Sequence, residues 1–357
     1  MKNKKLTLFA SALMILVLVS LLISAGCQPA APQTFKLKMQ SQWPRGDISM
    51  ENLSKFADLV KQKSNGRLII DVFAEPEIAP MEQVTDATIA GSIDIMHGGG
   101  AITGAIAPVG YIEFGIPYSY KIVEANGDCH QAAAIIRDFF LKDGFIDLVR
   151  AEYAKHGLYY VDIHCYGWVP FLMSKKPIVN YEDFNGFKLR SEGAFTEWQK
   201  LQGAIGTADI GPGDTYMALK TGTLDGAQWD TSAVTGLKWH EVAPYWIKGY
   251  ESDHSVGHIM FNMKVWNSLP ADLKQVVEES AAEYFNICLD AYCAEEQVIL
   301  DMVERGELKV SELSPECVTK LAEDAFIIWD QLAQEDETCA KAIEMFKEWR
   351  GPYFFKK

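Results

Sequence analysis

From residue 35 the apolar positions change period in a regular order. An alternating run over 35–40 predicts a strand. Met50, Leu53, Phe56, Ala57 and Val60 then recur at the spacing of one helix face, with Ser49 as the expected N-cap. A strand over 67–73, a helix from Pro80 and a strand in "GSIDIMH" complete a β-α-β-α-β unit. The same order returns from residue 187: "FKLRS", a helix through Trp198 and Leu201, a short strand near 204–210, a helix carrying Tyr216 and Leu219, and "GTLDGAQW". Both units close on Gly-Ser/Thr-Ile/Leu-Asp, at Gly91 to Asp94 and Gly222 to Asp225. Tags this short predict a repeated architecture rather than a duplicated sequence, and they give Asp94 and Asp225 a structural role.

Such a unit builds a parallel sheet covered by helices and collects ligands at the carboxyl ends of its strands. Two of them facing each other enclose a cleft. Between Pro270 and Arg305 the series Leu273, Val276, Val277, Ala281, Tyr284, Cys288, Ala291, Val298 and Met302 keeps the helical period, and Gly306 stops it. At ~1.5 Å per residue this helix runs about 50 Å, longer than one small domain is wide. The predicted fold is therefore α/β with two lobes, each a helix-covered, mainly parallel sheet, and a long helix bracing both. "GLYYVDIHCYGWVPFLMS" and "SVGHIMFNM" are the expected crossovers, where a hinge would sit. The expected boundaries are 34–165 plus about 256–295 for lobe I, and 166–255 plus about 296–357 for lobe II.

Composition adds an address. "MKNKK", a long apolar run and "AGC" up to Cys27 read as a lipoprotein signal over residues 1–27, with Cys27 as the lipidated residue and 28–33 as a tether. A retained transmembrane anchor is the alternative, and both place the rest of the chain outside the cytoplasm. Without residues 1–27 the chain carries 30 basic and 48 acidic residues, so its net charge moves from −15 to −18. That surface repels nucleic acid and anionic lipid, leaving the lipid anchor as the expected membrane contact. Among the remaining cysteines, Cys317 and Cys339 form a candidate pair, while Cys288 and Cys293 read as small buried hydrophobes.

The residues just past the strands are Gln42, Trp43, His97, Gly98, Arg190, Pro212, Gln228 and Trp229, with Trp168 and Phe171 as further aromatic walls. A guanidinium at a strand's carboxyl end offers a planar fork that matches a carboxylate; its alternative is a place on the solvated face or a pair with a neighbouring acid such as Glu192. "GGG" at 98–100 either brings backbone N–H groups to an anion or makes a tight turn. Catalysis has little support. "HGGG" at 97–100 has no G-x-S-x-G to accompany it, no H-E-x-x-H, phosphate loop or dinucleotide fingerprint occurs, and His254 and His258, four apart in a strand-like run, would stand ~13 Å apart.

In order along the chain, "SQWPRG", "MEQVTDATIAGSIDIMHG", "NYEDFNGFKLRSEG", "DTYMALKTGTLDGAQW", "WNSLPADLKQVVEES" and "GELKVSELSPE" resemble the solute-binding proteins of TRAP transporters, DctP type. The resemblance implies a periplasmic-binding-protein-like fold that closes over a small organic carboxylate and delivers it to a small and a large membrane subunit. It implies that Arg190, in the G-x-K-x-R tag, binds the carboxylate, that Gln228 and Trp229 touch ligand, and that Trp43 lines the other wall. Members that hold 2-oxo acids through a metal carry glutamine and glutamate where this chain has Val169 and Gln228, and sialic-acid-type members carry a second arginine where it has Pro170. A bridging sodium or calcium ion is thus poorly supported, no cofactor is expected, and a single fork among tryptophans suits a monocarboxylate. A receptor or sensor lipoprotein for another importer, and a secreted hydrolase, are the competing functions.

Overall fold

The computed structural model describes residues 33–119, 127–207 and 210–350. The signal over residues 1–27, Cys27 and nearly all of the tether lie outside the described residues.

The first β-α-β-α-β unit is β1 (Phe35–Ser41), α1 (Ile48–Lys63), β2 (Leu68–Phe73), α2 (Val84–Ala90) and β3 (Ile95–Gly98). The helices α3 (Cys129–Leu141) and α4 (Phe145–Lys155) follow, and then the long strand β4 (Leu158–Val169) and β5 (Phe171–Ser174). The second unit is β6 (Lys188–Arg190), α5 (Gly193–Leu201), β7 (Ile205–Thr207), α6 (Pro212–Thr221) and β8 (Gly226–Trp229). It is followed by β9 (Tyr245–Lys248), β10 (Asp253–Asn262), α7 (Ala271–Glu304), β11 (Lys309–Glu312), α8 (Pro315–Leu332) and α9 (Glu337–Arg350).

Two sheets result, with strand orders β2-β1-β3-β10-β4 and β11-β9-β5-β8-β6-β7. Strands β1 and β3 pair in parallel, as do β6 with β7 and β8, whereas the crossing strands β10 and β5 run antiparallel to their neighbours. The chain passes from the first sheet to the second at Pro170, within the first segment expected to cross, and returns through residues 249–252, just ahead of the second expected segment, which itself falls on β10 of the first sheet.

The two units are built alike in detail. Asp94 accepts the Lys38 backbone N–H at 2.8 Å and returns its own N–H to the Lys38 carbonyl at 3.0 Å. Asp225 treats Lys188 in the same way, at 3.0 and 2.8 Å. Each aspartate clips the end of its strand, which is the structural role expected of both.

The inward face of α1 is the expected one, but its cap is Asp47, whose Oδ1 accepts from the backbone of Ser49 and Met50. Helix α7, 34 residues or about 51 Å long, packs on β4 and α1 and reaches the turn after β8. It buries Leu273, Val277, Ala281, Tyr284, Cys288 and Met302 as expected. Past its middle the buried stripe shifts: Ile299 is covered while Val298 is 42% exposed, because a straight helix drifts ~20° per seven residues. Helix α9 sets Phe346 against Phe139 of α3 and Phe145 of α4. The chain's last described helix therefore packs on helices of the first half, although residues 296–357 were expected in lobe II.

The cysteines also differ from expectation. Cys129 and Cys293 form a disulfide across 164 positions, which removes Cys293 from the set of inert buried residues. Cys317 and Cys339 are separate buried thiols, as are Cys165 and Cys288. The 129–293 pairing joins the start of α3 to α7, a proximity that only the tertiary packing creates.

Candidate functional site

Arg190 ends β6 and is wholly buried. Its Nε donates to the Ile210 carbonyl at 3.1 Å, Nη1 to the Gln228 carbonyl at 3.2 Å, and Nη2 faces the Glu192 carboxylate at 3.3 Å. The guanidinium carbon lies 4.6 Å from the centre of the Trp229 ring, a cation–π contact. The neighbouring strand places Trp229 there: Arg190 pairs with Ala227, so strand alternation puts Arg190 and Trp229 on one face of the sheet.

A cavity of about 430 Å³ lies beside this group, between the two halves. Arg190, Glu192 and Thr196 line it from the second half, and Glu82, Ala101 and Ile102 from the first. The halves meet around it. A Cβ on Gly193 would stand 3.1 Å from the Ala101 Cα, and one on Gly236 would fall 1.8 Å from the Gly46 carbonyl oxygen. The Trp229 indole donates to Asp47 Oδ2 at 3.2 Å, and the Ile48 N–H reaches Ser232 Oγ at 3.2 Å.

On the far side of Trp229 the aromatic wall continues through Tyr166, 6.4 Å away, to Trp43, which stacks on Tyr166 at 4.5 Å. Tyr166 carried no signal in the sequence, for a specific reason. In the β4–β10 ladder Cys165 pairs with Val256 and Gly167 with Ser255, so Tyr166 is the extra residue of a bulge, and alternation no longer tells where it points. Its hydroxyl is buried and makes no hydrogen bond among the described residues.

The site is acidic as well as aromatic. Asp47, Glu192 and Asp230 are all at most 3% exposed. Burial raises the Glu192 carboxyl against the pull of Arg190. Burial likewise raises Asp47, and it lifts Asp230 well above the carboxylate range, with the nearby charge of Asp47 adding to the effect. Asp230 Oδ2 accepts from Tyr292 of α7 at 2.8 Å, which ties the long helix to the same centre.

The other residues singled out in the sequence fall elsewhere. Gln42 spends its amide on the Gly99 N–H and Thr85 Oγ1, at 3.0 and 3.2 Å. His97 is bonded at both nitrogens, to Ser41 Oγ and the Tyr284 hydroxyl, and burial with two neighbouring histidines holds its pKa well below 6.5. Gly98 is required by packing, since a Cβ would lie 2.0 Å from Gln42 Oε1; the same holds at Gly100, where it would lie 1.8 Å from the Gly110 carbonyl oxygen. The glycine run thus serves close contact, and its Gly99 N–H is already taken. Pro212 occupies the first turn of α6, where its missing N–H costs nothing. The Gln228 amide, buried without a hydrogen-bond partner among the described residues, alternates to the opposite face from Trp229.

Trp168 and Phe171 belong to a different cavity of about 670 Å³, which Trp246 and Glu296 also line. The indole of Trp168 donates to Glu296, and Phe171 stacks on Trp246 at 5.3 Å. For Trp168 the bulge at Tyr166 is the reason, since one inserted residue reverses the faces of those that follow in β4; Phe171 lies beyond Pro170, on β5 of the other sheet. His258 bonds Glu113 at 2.8 Å, while His254 lies 3.8 Å from Cys129 Sγ, so the two histidines serve separate surroundings.

The sequence model of bacterial extracellular solute-binding protein family 7, DctP, matches residues 39–336. A monocarboxylate 2-oxoacid-binding periplasmic protein of Nostoc sp. is 22% identical over 324 residues, spanning 89% of this chain and 84% of that protein. A solved TRAP transporter solute binding protein of Bordetella bronchiseptica, with calcium and picolinate bound, has a TM-score of 0.77 at 22% identity and covers 89% of this chain and 92% of its own. One from Pseudoalteromonas atlantica, with sodium and pyruvate, reaches 0.79 at 20% identity, covering 89% and 94%. At these identities the structures establish the fold.

Proposed function

This chain belongs to the DctP family of bacterial extracellular solute-binding proteins, and from that premise we propose that it captures a small organic carboxylate on Arg190 and hands it to the two membrane subunits of a TRAP transporter. The observation that carries this reading is the fully buried Arg190 fork, set over Trp229 and faced by a carboxylate of the chain itself, Glu192. A ligand carboxylate would take the place of that internal one. The family is one of binding receptors and works outside the cytoplasm; absence of catalysis and anchorage through a lipid on Cys27 are part of the proposal.

The two sheets with their helices act as the two lobes, hinged where the chain crosses at Pro170 and at residues 249–252. The apolar part of the ligand would face Trp229, with Tyr166 and Trp43 packed behind it. Relatives named for 2-oxo monocarboxylates and pyruvate support a small monocarboxylate. The two solved relatives hold sodium or calcium beside their ligands. Here Val169 offers no side-chain oxygen and Gln228 only a neutral amide oxygen, so the proposed capture rests on Arg190 and not on a bridging ion.

The test is a screen of small carboxylic acids against the purified protein by tryptophan fluorescence and thermal shift, with and without sodium or calcium. An acid that raises the melting temperature and quenches fluorescence without added ions is the expected result. A screen in which no carboxylate shifts either signal would sink the reading.

A further inference from the structure

Arg190 is outnumbered. One guanidinium stands among Glu192, Asp47 and Asp230, all three buried, and Glu192 is close enough to Asp47 for that charge to raise its carboxyl further. Tyr166 lies within electrostatic reach of all three acids and of Arg190. The adjoining cavity repeats the imbalance: its Glu197 is paired with Lys200 at 2.6 Å, which leaves Glu82 and Glu192 beside the one guanidinium.

A plain monocarboxylate that displaced Glu192 from Arg190 would leave Glu192 without its partner, either as a buried unpaired charge or carrying a proton, and both are costly in a dry site. A molecule with both charges avoids both. It exchanges one internal ion pair for two, its carboxylate on Arg190 and its cation on Glu192. A second feature points to the same spot. Thr196, one turn into α5 from Glu192 and 8% exposed, is in the cavity wall, and its buried hydroxyl has no partner among the described residues.

Resting on the carboxylate reading above, we propose that the ligand also carries an ammonium group, as an amino acid does, and that Glu192 with the Thr196 hydroxyl receives it. The ammonium has three donors to place, and Glu192 and Thr196 supply acceptors for two of them on the wall that Arg190 shares. The cavity of about 430 Å³ has room for a molecule of amino-acid size.

The experiment compares pairs that differ only in the amine: leucine with 4-methylpentanoate, phenylalanine with 3-phenylpropanoate, and 4-aminobutanoate with butanoate. Calorimetry on the full chain and on Glu192→Gln, at pH 7, is run with and without sodium or calcium. At least one amino acid should bind the wild type roughly tenfold or more tighter than its deaminated partner, because a site built for a polar group rejects the analogue that lacks it. Glu192→Gln should bring that ratio close to one. If Glu192→Gln does not fold, the wild-type ratios decide alone. Equal binding of both partners overturns the ammonium assignment and leaves the carboxylate reading standing. So does a preference seen only with calcium or sodium, or one that Glu192→Gln leaves unchanged. Failure of every acid, aminated or not, overturns both.

Discussion

Trp229 donates its indole N–H to Asp47 across 182 positions of sequence, joining the end of β8 to the cap of α1. One carboxylate thus does two jobs, since its other oxygen starts the helix. Trp229→Phe keeps most of the ring area and removes the donor, leaving a buried oxygen unpaired. The expected cost is about 1–3 kcal/mol, read from urea unfolding midpoints with the slope unchanged. A variant as stable as the wild type would show that the contact contributes nothing.

Arg190→Lys retains the charge and loses the planar fork. Affinity for the carboxylate that emerges from the screen should fall at least tenfold, and further in Arg190→Ala, as loss of a charge-assisted pair costs about 2 kcal/mol. Calorimetry measures it, with the melting temperature as a check on folding. Unaltered dissociation constants in both variants would remove Arg190 from the ligand.

Gly236 lies against the Gly46 carbonyl with no room for a methyl group. Gly236→Ala should hold the halves apart while leaving each sheet intact. Far-UV circular dichroism would stay as it is, the radius of gyration in solution scattering would rise, and ligand affinity would drop. An unchanged radius with full affinity would mean that the loops simply move aside.

Two sets of buried groups give stability opposite slopes with pH. Burial raises the Glu296 carboxyl from 4.5 to about 7, so the folded chain keeps a proton that the unfolded chain has lost. That contribution is full below pH 4.5 and fades as pH rises towards 7; Glu296→Gln should remove the fall. Burial lowers His164 and His254 from 6.5 to about 3, so their contribution is present above pH 6.5 and is lost on acidification through that window. Each such proton is worth about 1.4 kcal/mol per pH unit, and His254→Gln should take one of them out of the acid limb. Unfolding midpoints between pH 3 and 8 test both signs.

The 129–293 disulfide closes a loop of 164 positions. Chain-entropy arguments give such a link on the order of 4–5 kcal/mol, so replacing both cysteines with alanine should lower the melting temperature by several degrees. The same drop should follow reduction of the wild type, with four buried thiols, Cys165, Cys288, Cys317 and Cys339, staying unreactive until unfolding.

Much of this architecture was legible because it is written in period. The two β-α-β-α-β units, the crossings and the long helix each follow from where apolar residues recur, and Arg190 drew attention as a cation at the end of a short strand. What escaped was set by events that break the period or join distant residues. The bulge at Tyr166 hid one wall of the site and sent Trp168 to another cavity. Asp47 took the cap expected of Ser49 because the turn before α1 begins two residues earlier. The Cys129–Cys293 pairing has no local trace at all.

That pairing has a consequence for biogenesis. Threaded amino end first across a membrane, the chain presents Cys129 to the oxidising side well before Cys293, and Cys165 arrives in between as an available but incorrect partner. Should Cys129 pair first with Cys165, that bond has to be reshuffled before Cys293 can take its place, and Cys165→Ala should then shorten maturation.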